Sequence, residues 1–253
     1  MKKRYESIIA NIYPASLCLL LLAVWQAVSS SGLVPGYLLP SPTRVISALL
    51  ISAPELAGHT WITLFEGLSG LLIGVAAAFL IAVLMDRFIF FYRSVYPLLI
   101  ISQTVPIVAI APLLVLWMGY GIAPKITLVA LMCFFPVAVG LLDGFKSADE
   151  DALTLLRAMG ASRLQIYTHI KLPSSLGGFF AGLKISASYA VVGAVISEWL
   201  GGNEGLGVYM TRVRKSYAYD KMFAVIVLVS ILSLVLIRLV KTIQKYSMPW
   251  EDN

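Results

Sequence analysis

Charge is scarce in this chain. Asp, Glu, Lys and Arg make up 13% of its 253 residues, against about 25% in soluble domains. Hydrophobic residues make up 59%, and the mean hydropathy is +0.88. One soluble core of this size cannot hide so much apolar surface, which excludes a soluble enzyme and a disordered chain. Histidine is limited to His59 and His169, and the two cysteines, Cys18 and Cys133, fall inside apolar runs with no neighbour at ligand spacing. Neither a disulfide framework nor a metal site is expected. No G-x-x-x-x-G-K-[ST] sequence occurs, so the chain has no P-loop to cradle nucleotide phosphates. No acid/base constellation is visible, and no catalytic residue is assigned.

What the chain has in excess is long apolar runs. A bilayer-crossing helix needs about 20 of them in a row, and helices satisfy their backbone groups internally in lipid. The expected architecture is all-α: a single polytopic domain, 1–253, with six transmembrane helices at about 8–28, 63–85, 97–118, 125–142, 174–197 and 222–240. Pro97, Pro106 and Pro112 predict a kinked or interrupted third span. An even number of spans puts both termini on one side. With Met1 in the cytoplasm, twelve Lys and Arg fall on inner segments, starting with Lys2, Lys3 and Arg4, against six on outer ones. The positive-inside rule therefore places both termini in the cytoplasm. The net charge of +6 is spread beside apolar runs, which favours lipid and not nucleic acid as its partner.

Loops and stripes add detail. After Pro40 and Pro42, Thr43 is expected to cap a short helix through Leu50 in the outer loop 29–62. Gly178, Gly182, Ser186, Ala190 and Ala194 recur every fourth residue, as do Gly70, Gly74, Ala78 and Ala82. Such stripes let helices approach closely, either within the bundle or against a partner or path. The inner loop 143–173 reads as helix, elbow, helix. Ser147 and Glu150 form one expected capping box, and Ser162 and Gln165 a second. Gly160 stands where a left-handed residue would end the first helix, and Pro173 is expected to end the second. The loop suits either a pair of interfacial helices on lipid or a knob for a soluble partner's groove.

From this loop outward the sequence resembles the permease subunit of binding-protein-dependent ABC importers, in the nitrate/sulfonate/taurine-type branch. Gly160, Ile170, Leu172 and Pro173 keep the spacing of that family's cytoplasmic EAA loop. Thr154, Leu155 and Leu156 stand at the E-A-A positions themselves. Leu39-Pro40-Ser41-Pro42, the run Pro106 to Leu113 with Gly119-Tyr120-Gly121, Phe134-Phe135-Pro136 and Gly205-Leu206-Gly207 extend the likeness. The chain departs from it at Glu66, where the family commonly has an arginine. The runs 197–202 and 205–212 look most like permeases assigned to pyrimidine precursors of thiamine, with sulfonate permeases nearby.

The resemblance implies a type I ABC importer permease fold in a bacterial inner membrane. It implies two ABC ATPase subunits that carry ATP and magnesium, a second permease copy as a homodimer, and an extracytoplasmic substrate-binding protein. It places the coupling to the ATPase on Leu153, Leu156, Arg157, Ala158, Met159, Gly160, Ala161, Ser162, Ile170, Leu172 and Pro173. No carboxylate stands at the centre of an expected span, and Lys184 in the fifth can snorkel toward one interface, which disfavours the competing reading of a stand-alone channel or secondary transporter. Gln103, Thr104, Ser186, Ser188 and Tyr189 are the polar candidates for the translocation path. Glu198, Glu204, Arg212, Arg214 and Lys215 are candidates for docking the binding protein.

Overall fold

The apolar runs fold as helices, and the described residues contain no strand. The computed structural model describes residues 2–249, with side chains for 13 and 16–249. In chain order the helices are α1 (Lys2–Ser30), α2 (Pro42–Ile51), α3 (Ala53–Arg87), α4 (Ile89–Ser102), α5 (Ile107–Met118) and α6 (Ile122–Lys146). There follow α7 (Glu150–Ala158), α8 (Arg163–Ile166), a π-helical turn (Tyr167–Lys171), α9 (Leu172–Leu200), α10 (Leu206–Lys215) and α11 (Tyr219–Ser247). The expected span 8–28 lies within α1, where the side chains of residues 8–12, 14 and 15, and those of Lys2, Lys3 and Arg4, are outside the described residues.

Among the described residues, four segments are long and apolar enough to cross a membrane: α3, α6, α11 and the continuous stretch Arg163–Leu200. The expected third span is not one rod. It is α4 and α5, bent by 102° at the intervening break. Pro106 explains the position of that break. It has no N–H to donate back to Ser102, and its ring forces Val105 out of the helical region. Three short turn bonds, from Gln103, Thr104 and Val105 to the carbonyls three residues back, close α4 (3.2, 3.0 and 3.2 Å). Pro97 and Pro112 stay inside their helices.

Several expected ends are corrected. Ser41, not Thr43, caps α2, its hydroxyl accepting from Arg44 N, because Pro42 already occupies the first helical turn. The helix after it starts at Ala53, so the expected outer loop to residue 62 is helical in its second half. Pro173 does not end a helix. It stands in the first turn of α9, where a missing N–H costs nothing, and the π-turn carries the chain into α9 without a gap.

The chain forms two compact units. One runs up to Ala57 and includes Tyr209–Leu228. In it Trp25 Nε1 donates to Pro40 O at 3.1 Å and Ser29 Oγ to Leu39 O at 2.7 Å. These bonds pin the proline-rich strip, whose own prolines offer no donors. Val45, Ala48 and Ala224 form its core.

The other unit comprises Gly58–Val208 and the chain from Val229 onward. Its centre is α6 against α9. The backbones nearly touch: a Cβ on Gly140 would run into Gly178 O, and one on Gly178 into Gly140 O. Cys133 and Ser186 exchange bonds across the same seam, Ser186 Oγ donating to Cys133 O at 2.8 Å and Cys133 Sγ to Ser186 O at 3.4 Å. The stripe 178–194 therefore packs within the bundle, as does the α3 stripe, whose Gly74 abuts Ala130 O.

Candidate functional site

The loop between α6 and α9 is held by three local devices. Asp149, not Ser147, caps α7: its carboxylate accepts from Asp151 N at 2.9 Å. The expected Ser147–Glu150 box does not form, because Ser147 still belongs to the end of α6 and its hydroxyl donates to Gly144 O. At the other end Gly160 takes φ +78°. Gly160 N donates to Arg157 O and Ala161 N to Leu156 O, both at 3.0 Å, the paired bonds of a left-handed helix stop. The second box forms as expected. Gln165 N donates to Ser162 Oγ at 3.3 Å, and Ser162 N to Gln165 Oε1 at 2.7 Å. At the base of the loop Lys171 Nζ donates to both oxygens of Asp86, at 2.7 and 2.8 Å, tying the π-turn to the end of α3.

This frame supports a bare helix. No residue of α7 is buried. Of the expected coupling residues, Arg157, Ala158, Met159, Gly160 and Ser162 are exposed, whereas Leu153, Leu156, Ala161, Ile170, Leu172 and Pro173 are half-buried. Two apolar side chains absent from the expected set stand out with Met159 (73% exposed): Leu155 (62%) and Leu164 (72%). Leu155 and Met159 lie one turn apart, a spacing that could have been noticed in the sequence.

A cavity of about 800 Å³ lies beside the α4–α5 break. It is lined mostly by apolar groups such as Met132, Phe135 and Ile185, with Gln103, Asp143 and Tyr189 as polar members. Gln103 and Tyr189 were expected on a path, and the structure brings them together here. Thr104 does not line this cavity; its hydroxyl closes on Ile101 O. Ser186 is buried in the α6–α9 seam, and Ser188 Oγ reaches back to Lys184 O. These two satisfy backbone carbonyls, the usual fate of small hydroxyls in apolar helices. Asp143 was missed because it was read as the start of a loop.

A second polar cluster was also missed. Lys125 Nζ donates to Glu66 Oε1 at 2.7 Å, and both side chains are nearly inaccessible, at 7% and 2%. Glu198, expected at a docking surface, is only 2% exposed. Its carboxylate accepts from Thr63 Oγ1 at 2.7 Å and from Gly207 N. Thr63 Oγ1 in turn accepts from Leu206 N at 2.9 Å, and His59 Nδ1 accepts from Gly205 N at 3.0 Å. Side chains from α3 and α9 thus satisfy the orphan amides at the start of α10. Gly205 must lack a Cβ, since its φ is +120° and the Glu198 carboxylate fills the place a side chain would take. Glu198 is removed from the docking set for this reason. Glu204, Arg212, Arg214 and Lys215 are exposed.

Residues 70–248 match the family described as binding-protein-dependent transport system inner membrane component. The formylaminopyrimidine transport permease protein ThiX of Halalkalibacterium halodurans is 34% identical, over 99% of this chain and 98% of its own. The taurine transport system permease protein TauC of Escherichia coli is 29% identical, over 91% of this chain and 86% of its own. A solved inward-facing structure of the MetNI methionine ABC transporter superposes with a TM-score of 0.64 at 21% identity, covering 78% of this chain and 95% of that one.

Proposed function

The chain belongs to the binding-protein-dependent transport system inner membrane component family, and from that premise we propose that it is one of two identical permease copies in an ATP-driven importer of a small organic nutrient. It is a multi-pass membrane protein. Both termini lie in the cytoplasm, and α1, α3, the broken α4–α5 pair, α6, α9 and α11 make six crossings. The solute is a thiamine pyrimidine precursor, a sulfonate or a similar molecule, in line with the substrates in the names of its relatives. A binding protein delivers it outside, and it passes the cavity beside Gln103 and Tyr189.

One observation carries this reading: α7, capped at both ends and with no residue fully buried, holds Leu155 and Met159 bare, and α8 beside it holds Leu164 bare. Apolar groups so placed need a partner to cover them. A groove on each of two ATPase subunits, which hold ATP and magnesium, supplies that cover. When ATP draws the grooves together, each α7 moves as a rigid body, because its caps resist bending. The Asp86–Lys171 pair passes the displacement to α3.

The test is reconstitution of the chain with its ATPase and binding protein in proteoliposomes. Uptake is expected only with ATP and all three components. Uptake that persists without the ATPase would establish a stand-alone channel or secondary transporter instead.

The exposed cluster Arg212, Arg214 and Lys215 is assigned to docking an acidic face of the binding protein. Its replacement by alanine is expected to weaken docking several-fold at low salt. The difference should vanish near 1 M salt, where the screening length falls to about 3 Å. An equal docking constant for both proteins at low salt would return these residues to a role in lipid headgroup contact.

A further inference from the structure

We propose that the cleft at the junction of α3, α4 and α6 binds the headgroup of an anionic phospholipid. The cleft encloses about 350 Å³ and shares no lining residue with the cavity beside the α4–α5 break. Its floor is apolar and buried, made by Met85 of α3 with Leu142 and Phe145 of α6. Its rim is cationic, with Arg87 ending α3 and Lys146 ending α6.

The rim is arranged in advance of any anion. Lys146 Nζ donates to Tyr92 Oη at 2.6 Å and stands 4.9 Å and 5.0 Å from the centres of the Tyr92 and Tyr96 rings, which stack 5.0 Å apart. The ammonium is held there with N–H groups to spare, and Tyr92, having accepted from it, keeps its own O–H to donate. These two touching groups form the seat for a phosphate. Arg87 lies 5.5 Å from the centre of the Phe88 ring, and Phe88 O accepts from Tyr92 N. It adds charge from the same wall and need not meet the same oxygen. Nearby carboxylates offset only part of this charge. Asp86, the single carboxylate of the lining, accepts from Lys171 Nζ through both oxygens. Asp143, three residues back on α6, acts on Lys146 from outside the cleft. Neither Arg87 nor Lys146 is ion-paired among the described residues.

The mouth of the cleft favours a lipid over other anions. Ile89 on its rim is 67% exposed, and its neighbours Phe88 and Phe90 are 52% and 81% exposed. A dissolved phosphate, or an acidic side chain of a soluble partner, would leave these apolar groups in water. A phospholipid lays acyl chain over them while its phosphate meets Lys146 and Tyr92. A zwitterionic headgroup brings an ammonium toward the cationic rim, whereas phosphatidylglycerol brings only hydroxyls. Basic pockets between spanning helices take anionic headgroups for this reason.

The test is lipid retention by the full chain, purified with its ATPase, offered equal amounts of phosphatidylglycerol and phosphatidylcholine and read by native mass spectrometry. Phosphatidylglycerol is expected to be kept in preference. Arg87→Gln and Lys146→Gln should each lower that preference about fivefold, the worth of one basic residue beside an anionic lipid. Tyr92→Phe, which removes no charge, should lower it as well. Arg238→Gln with Lys241→Gln removes two exposed cations of α11 outside the cleft and should leave it unchanged. Should Lys146→Gln not assemble, Arg87→Gln decides the matter. An equal loss in the α11 control, or undiminished preference in the cleft variants, overturns the site. Displacement of the lipid by excess inorganic phosphate would reveal a site for dissolved anions, and its loss whenever the ATPase is bound would make the cleft a protein contact; either result also overturns the proposal.

Discussion

Gly160→Val is expected to cut ATP-driven uptake by at least an order of magnitude while ATP hydrolysis by the complex continues. A Cβ at Gly160 would meet nothing within 4 Å, so the damage is not a clash with neighbours. It is conformational. A left-handed φ of +78° costs an ordinary L-residue roughly 1–2 kcal/mol, and a β-branched one pays more. The elbow can relieve that cost by opening, because no residue of α7 is buried to hold it. A swinging α7 no longer turns groove movement into helix movement. Gly160→Asn should retain most uptake, since asparagine adopts this conformation readily. Normal uptake by Gly160→Val, in a complex shown to be assembled, would remove the elbow from the mechanism.

Lys125→Met is expected to destabilise the protein by about 3–5 kcal/mol, the usual cost of leaving one member of a buried ion pair alone. Glu66 would then lie buried between α3 and α6 without its cation, and must either bear an uncompensated charge or take up a proton to lose it. Glu66→Gln together with Lys125→Met should recover much of the loss, because removing both charges also removes the need to desolvate them. Thermal unfolding of the four proteins in nanodiscs measures the coupling between the two sites directly. Additive losses would show that the 2.7 Å contact carries no energy of its own.

The two substitutions probe features of different legibility. The elbow was readable because its determinants are local. Gly160 stops a helix through its own backbone, and Ser162 with Gln165 is a box four residues wide. The same loop shows where local reading stops. Two hydroxyl or carboxylate residues competed for the α7 cap, and the choice of Asp149 over Ser147 depended on how far α6 extended. The α2 cap followed the same rule, with Pro42 settling the matter in favour of Ser41.

Sequence alone determined the class of this protein. Apolar runs of spanning length, few charges and capped elbows are properties of consecutive residues, and each acts over a turn or two of helix. Pro97, Pro106 and Pro112 also announced a kinked or interrupted third span, but that the chain breaks at Pro106 and runs through Pro97 and Pro112 was decided by the fold. The 102° angle of that break, the burial of Glu66, Lys125 and Glu198, and the meeting of Gln103, Asp143 and Tyr189 at one cavity were decided by tertiary structure. Those residues lie 40 to more than 130 positions apart, and a charge's partner is fixed by helix packing, which no local spacing encodes. The glycine seam between α6 and α9 sets that packing: by letting two backbones touch, it decides which polar side chains are forced together and which are left facing space.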